Sequence, residues 1–258
     1  MLSESDIESI KQIIIESSHL ARELRKAGLE ITHKADKSPV SNADLAISAL
    51  INSGLSKLYP DIKIICEEGE NKLAGEKEFW LVDPIDGTRG YIKDYDIYSI
   101  NIALVIGNYA RYGFISIPES GRIYYTDSQG AFRIEGEDAI APKRGREYKA
   151  VLSGDYSQKA MAHNIMEQHN ITSYEYIPCS AKFCLIASGE ADLYPRYGRT
   201  MEWDTAAGSA IVRASGGIVA DVKGFNEMQY GKEDLVNTGF IAYSQRLKER
   251  QPILREDD

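Results

Sequence analysis

Cysteine is scarce in this chain: three in 258 residues, at Cys66, Cys179 and Cys184, an odd number without CxxC spacing. That excludes a disulfide framework or a structural zinc site of the usual kind and points to a reducing compartment. Histidine is nearly as rare. His19, His33, His163 and His169 show no metal-ligand spacing, the last two are six residues apart and would not share a helix face, and surface or capping positions are expected for all four. No apolar run approaches the roughly 18–20 residues of a membrane span. The opening Met1-Leu2-Ser3-Glu4-Ser5-Asp6 lacks the basic-then-apolar order of a signal peptide. A cytoplasmic protein without an integral membrane segment is expected, with peripheral inner-membrane association left open. Positive charge is also in deficit, 30 Lys and Arg against 39 Asp and Glu for a formal charge of −9. Such a balance disfavours a nucleic-acid polymer as partner. It does not exclude a small anionic substrate, because bound cations reverse the sign of a site locally.

What is present is ordinary globular composition, 43% hydrophobic and 27% charged, in a length that suits one large domain or two modest ones. Ile7, Ile10, Ile14, Ala21 and Leu24 recur at near-helical spacing up to Gly28. A second amphipathic helix opens at Asn42, read as its N-cap, puts Asp44 in its first turn and ends before Pro60. From residue 62 the pattern becomes that of strands: 62–66, 79–82, 99–106, 112–117, 123–126 and 131–134, separated by short turns that imply largely antiparallel pairing. The polar stretch from Glu135 to Glu147 is the best boundary. Beyond it, strands at 150–153, 174–177, 192–196 and 217–221 alternate with helices from Ser157, Ser180 and Asp204. The expectation is an α/β protein, an α+β half at 1–146 followed by an α/β half at 147–258.

Three segments carry carboxylates where a strand ends or a helix begins: Glu67-Glu68, Asp83-Pro84-Ile85-Asp86-Gly87-Thr88, and Trp203-Asp204-Thr205-Ala206-Ala207-Gly208. Hard divalent cations prefer such oxygen ligands, and magnesium keeps waters or substrate phosphates beside a few carboxylates. Pro84 biases Asp83 toward an extended backbone, so Asp86 follows a turn and both side chains can share a cation. Gly87 permits close approach of a ligand, and free N–H groups around Thr88 suit a phosphate oxygen. Each segment alone also reads as something plainer: a turn, a solvated strand end, a capped helix. No P-loop and no EF-hand loop accompanies them.

The combination resembles the inositol monophosphatase-like superfamily, whose E-E, D-P-[IL]-D-G-T and W-D-x-A-[AG]-G signatures are matched residue for residue. Ala35 to Asp44, Lys182-Phe183-Cys184-Leu185 and Leu193 to Gly198 are further similar to the CysQ-type 3′(2′),5′-bisphosphate nucleotidases. The resemblance implies a layered αβαβα sandwich and two magnesium ions, with a third, weaker one near Glu67. It implies Glu67, Asp83 and the Ile85 carbonyl at the first ion, and Asp83, Asp86 and Asp204 at the second. Gly87 and Thr88 N–H groups would hold the scissile phosphate, while Asp44 and the Thr88 hydroxyl would orient and deprotonate a water. Lys182 and Arg196 would surround the second phosphate of a nucleotide, and Glu67, Ile85, Asp86 and Asp204 would also face the substrate. The implied reaction is hydrolysis of adenosine 3′,5′-bisphosphate in sulfate assimilation, inhibited by lithium and by excess calcium. Two departures bear on substrate choice: Cys179 stands where the relatives usually have serine, and Ser153-Gly154-Asp155-Tyr156 where they often have Ser-x-Ser-His. The alternatives are an inositol or other sugar monophosphatase and a non-catalytic calcium-binding module, as a monomer or a homodimer.

Overall fold

The computed structural model describes residues 1–69, 71–136, 146–154 and 159–250. Helix α1 (Glu4–Ala27) begins at a reciprocal cap, Ser3 Oγ accepting from the Asp6 N–H and Asp6 accepting from the Ser3 N–H. A hairpin, β1 (Ile31–His33) and β2 (Pro39–Ser41), which the sequence pattern did not suggest, leads into α2 (Asn42–Leu58). The cap of α2 is Ser41, one residue before the expected Asn42, because Asp44 reaches back to the Ser41 N–H.

The first sheet runs β3-β4-β5-β6-β7-β8, that is Lys63–Cys66, Glu78–Asp86, Ser99–Ile106, Tyr109–Ile117, Arg122–Thr126 and Phe132–Glu135. Every pair is antiparallel except β3 with β4, whose parallel pairing uses the long connection between them. Both faces of β4 are covered, and its period of two divides them: Phe79 and Leu81 enter one core, Trp80 and Val82 another. Five-residue α3 (Thr88–Ile92) follows β4.

The second sheet has the order β10-β9-β11-β15-β13. Its strands are Lys149–Leu152 (β9), Ser173–Tyr176 (β10), Leu193–Arg196 (β11), Ile218–Asp221 (β13) and Phe240–Tyr243 (β15). β9, β10 and β11 run parallel, and β15 inserts antiparallel between β11 and β13. β12 (Thr200–Met201) and β14 (Val236–Asn237) form a small separate pair. The helices of this half are α4 (Lys159–Gln168), α5 (Ala181–Ala187), α6 (Ala206–Ala214) and α7 (Gln245–Arg250). The expected helix start at Ser157, the departure at Asp155 and Tyr156, and most of the Glu135–Glu147 boundary lie outside the described residues.

Three apolar cores give the αβαβα layering. Helices α1 and α2 cover the outer face of the first sheet, α5 and α6 fill the space between the sheets, and α4 and α7 cover the outer face of the second. α6 is almost wholly buried, as a helix between two sheets must be. It is admitted by glycines: a Cβ on Gly113 of β6 would lie 2.3 Å from the Ala207 carbonyl oxygen, and one on Gly208 would lie 2.3 Å from the Phe183 ring. His169, expected at the surface, is fully buried with its ring 5.4 Å from that of Tyr243. The end of α4 turns it under the second sheet, where an aromatic partner replaces water. His19 and His33 are exposed as expected.

Because Gly113 meets backbone, which cannot swing aside, Gly113→Ala should cost about 3 kcal/mol of folding stability, the upper part of the overpacking range. Urea unfolding of the variant measures it, and an unchanged midpoint would contradict the close approach of α6.

Candidate active site

The site is built where β4 leaves its regular pairing. Asp83 lies opposite Asn101 and Asp86 opposite Ser99, so the register shifts between them and one extra residue bulges out of β4. The expected turn is therefore a bulge within the strand, a position where Pro84 is tolerated. The kink aims both carboxylates to one end of the sheet. Asp83 is buried, and its Oδ1 accepts from the Ile85 N–H at 3.1 Å. Asp86 is half-buried and accepts from the Ser180 hydroxyl at 2.6 Å.

Asp204 reaches the same place from the other half of the chain. It is the third residue of a 3-10 turn, Glu202–Asp204, separated from α6 only by its N-cap Thr205, and its Oδ2 accepts from the Met201 N–H at 2.8 Å. Ser180, the residue before α5, ties the parts together. Its Oγ contacts Asp86 Oδ2, lies 2.9 Å from the Asp204 carbonyl oxygen and accepts from Asn101 Nδ2 at 3.0 Å. Ser180 and Asn101 carry no motif, and their part here becomes visible only when the two sheets are assembled.

Crowding of like charges shows in the acidities. Burial above all, and then the charges of Glu67, Asp86, Asp204 and Asp44, push the Asp83 carboxyl well above the usual carboxylate range. Asp204 is pushed up to about 8 by burial and then by Asp86, against the opposing effects of the Met201 N–H and the Arg196 charge. Asp83 itself has no ion pair among the described residues. Glu67 is half-buried just beyond β3, where Lys34 from the β1–β2 turn bridges it and Glu68 at 2.8 and 2.7 Å. Sequence reading did not single out Lys34.

Asp44 and Thr88 stand beside this cluster. The Thr88 hydroxyl lies 3.2 Å from Asp44 Oδ1 and 2.9 Å from the Ile85 carbonyl oxygen, and its one proton can serve either. Asp44 Oδ2 is occupied by the Ser41 N–H and hydroxyl at 2.8 and 2.6 Å. Burial raises the Asp44 carboxyl, with those Ser41 bonds opposing the shift. Gly87 has φ +92°, a left-handed conformation suited to glycine, and its N–H and that of Thr88 open α3, where no preceding helical turn can receive them.

A cleft of about 300 Å³ adjoins Asp86 and Asp204. Ile177, Phe183 and Tyr194 supply apolar wall, and Lys182, Arg196 and Arg199 supply positive charge. Lys182 is buried and donates to the Ile177 and Cys179 carbonyl oxygens, with its Nζ 5.0 Å from the centre of the Tyr194 ring. Arg199, exposed at the cleft, was missed because it falls in the gap between the Leu193–Gly198 and Trp203–Gly208 stretches.

The residues fit a hard divalent cation. Among the described residues no three His, Cys, Asp or Glu side chains close on one point as a ready-made cage. Magnesium does not need one, since it is held by one or two carboxylates and completed by waters and phosphate oxygens. Oxygen donors from Asp83, Asp86, Asp204, Glu67 and the Ile85 carbonyl meet that preference, and the crowding that raises the Asp83 and Asp204 carboxyls is what a bound cation would relieve.

Comparison with known proteins agrees. The family model described as the inositol monophosphatase family matches residues 3–255. A 3′(2′),5′-bisphosphate nucleotidase CysQ from Shigella flexneri is 35% identical over 219 residues, covering 82% of this chain and 88% of that protein. The crystal structure of CysQ from Bacteroides thetaiotaomicron superposes with a TM-score of 0.80 at 28% identity, over 94% of this chain and 98% of that one. An IMPase from Thermotoga maritima shares the fold, with a TM-score of 0.77 at 22% identity over 94% and 92% of the two chains. By its matched residues, its relatives and its layered fold, the chain belongs to the inositol monophosphatase family.

Proposed function

We propose that this phosphatase is a magnesium-dependent 3′(2′),5′-bisphosphate nucleotidase that converts adenosine 3′,5′-bisphosphate to AMP and phosphate, with a place in sulfur metabolism. The observation that carries the reading is the adjacency of two unlike surfaces: the buried Asp83 with the half-buried Asp86 and Asp204, and a cation-lined cleft opening directly onto the latter two. A calcium-binding module has use for the first surface and none for the second. The identity to bisphosphate nucleotidases supports the nucleotide over an inositol phosphate.

In this reading Glu67, Asp83 and the Ile85 carbonyl hold one magnesium ion, and Asp83, Asp86 and Asp204 a second. Bound there, the ions lower the pKa of water and neutralise charge on the phosphate and its leaving oxygen. The Gly87 and Thr88 N–H groups hold oxygens of the scissile phosphate. Thr88 Oγ orients the attacking water and takes its proton as it passes its own to Asp44 Oδ1. Burial favours this, because it makes Asp44 a stronger base than an exposed aspartate. Lys182 spends two of its three N–H donors on Ile177 and Cys179 and keeps its charge in the cleft wall beside Arg196, where a second phosphate is attracted.

The direct test is phosphate release with magnesium from adenosine 3′,5′-bisphosphate and from inositol 1-phosphate. Faster turnover of the nucleotide is expected. Preference for the inositol phosphate would move the chain to the sugar phosphatases, and hydrolysis of neither with tight calcium binding would favour the binding module.

Asp86→Asn should lower kcat/KM by at least about a hundredfold, more than the loss typical of residues one step removed from a metal. The metal-free melting temperature should not fall, since one like charge leaves the cluster. Near-normal turnover would remove Asp86 from the metal site.

A second prediction follows from Asp204. An acid whose pKa is higher folded than unfolded binds a proton on folding, so its contribution is full below 3.8 and lost as pH rises to about 8. Chelator-treated protein should therefore lose melting temperature between about pH 5 and pH 8, and magnesium should raise it more at the higher pH, the cation replacing the proton. An equal magnesium shift at both pH values would contradict the assignment.

A further inference from the structure

The three cations of the cleft differ in what already holds them. Lys182 is buried and fastened to the Ile177 and Cys179 carbonyls, and Arg196 lies close enough to Asp204 to oppose its rise in pKa. Arg199 has no such commitment. Among the described residues its one polar contact is a long approach of Nη2 to the Met201 sulfur, 3.9 Å, and it meets no carboxylate of theirs. A guanidinium left without an anion at the edge of a cleft keeps its planar fork of donors available, and that fork matches phosphate oxygens in pairs.

The backbone presents this side chain from a fixed place. Arg199 lies in the three-residue corner 197–199 between β11 and β12. On one side Arg196 is in register with Phe240, and on the other Thr200 is in register with Asn237. The connection between β14 and β15 is wedged against the same corner: a Cβ on Gly239 would lie 3.1 Å from both the Arg196 carbonyl oxygen and Tyr197 Cα. Little backbone freedom therefore remains to be lost when an anion is gripped. Gly154, which lines the same cleft, offers no side chain, and a Cβ there would meet nothing within 4 Å among the described residues.

We propose that Arg199 is a specificity-determining residue that binds the anionic group of the substrate which is not hydrolysed, so that the cleft selects molecules with a second phosphate over monophosphates. This rests on the phosphatase reading of the carboxylate cluster for the position of the scissile phosphate, while the added grip on the retained group is argued from the free guanidinium of Arg199. Arg199 thus adds to the charge of Lys182 and Arg196 a grip from outside the motifs that identify the family.

The test compares wild type, Arg199→Ala and Arg199→Lys in two measurements. One is kcat/KM for adenosine 3′,5′-bisphosphate and for adenosine 3′-monophosphate. The other is the affinity for AMP, which carries only the retained 5′-phosphate, by titration calorimetry with magnesium present. For Arg199→Ala the ratio of the two kcat/KM values should fall about tenfold or more, and AMP affinity should weaken by a similar factor, the scale of one charge-assisted contact. Arg199→Lys should recover part of both. An equal loss on the two substrates, or unchanged AMP affinity, would overturn the proposal. If wild type hydrolyses neither nucleotide, the nucleotidase reading fails separately and the AMP affinities still decide Arg199. Because Arg199 is exposed, the variants are expected to fold.

Discussion

Asp83, Asp86 and Asp204 repel one another at the seam between two sheets, and the architecture around them is what keeps them there. Asp83 and Asp204 are each fixed locally, by the Ile85 and Met201 N–H groups, while Asp86 is tied by the Ser180 hydroxyl to the other half of the chain. Those bonds alone cannot offset the cost of withdrawing like charges from water, which runs to several kcal/mol per ion. The remainder comes from the apolar core between the sheets, which fixes β4 on one side and α6 on the other. Gly113 and Gly208 let that core close tightly, so packing at β6, outside the motifs, and at the glycine that ends the Trp203–Gly208 signature sets how near the carboxylates stand. A cation converts the repulsion into a shared attraction.

Much of this was legible in the sequence where local pattern and final structure agree. β5 has the expected limits, Ser99–Ile106, because a long apolar run there ends in a Gly107-Asn108 turn. β15 escaped notice although it lies inside the second sheet, for Phe240–Tyr243 is four residues long and apolar on both faces, with no alternation to read. The motif carboxylates were legible as candidates, but the residues that hold and neutralise them were not. Ser180 reaches Asp86 across 94 residues, Asn101 reaches Ser180 across 79, and Lys34 reaches Glu67 across 33. Serine, asparagine and lysine are common enough that only the fold gives these their meaning.

Asp44 shows how a local rule can hide a long-range one. An acid in the first turn of a helix is explained by capping, and Asp44 does cap: one oxygen takes both the N–H and the hydroxyl of Ser41. The cap also fixes the direction of the other oxygen, which faces Thr88. Helix initiation and placement of the proton acceptor in the proposed mechanism are thus one arrangement. The capping explanation is correct and incomplete, since it accounts for half of the carboxylate.

The departure at Cys179 can be weighed on the same physical terms. Its backbone is left-handed, φ +52°, which costs a non-glycine residue roughly 1–2 kcal/mol. The strain is retained by Lys182, whose ammonium takes the Ile177 and Cys179 carbonyls on either side of Pro178 and so fixes this wall of the cleft. The thiol is pushed up to about 12, chiefly by burial and then by Asp86, and therefore stays neutral at physiological pH. Exchanging a hydroxyl for such a thiol removes a good hydrogen-bonding group and leaves the charge of the cleft unaltered. Preference for a doubly anionic substrate is a matter of charge, so the departure at Cys179 need not weaken it. What the thiol can change is the recognition of neutral, hydrogen-bonding parts of the substrate next to Gly87, whose Cβ position would lie 3.4 Å from that of Cys179.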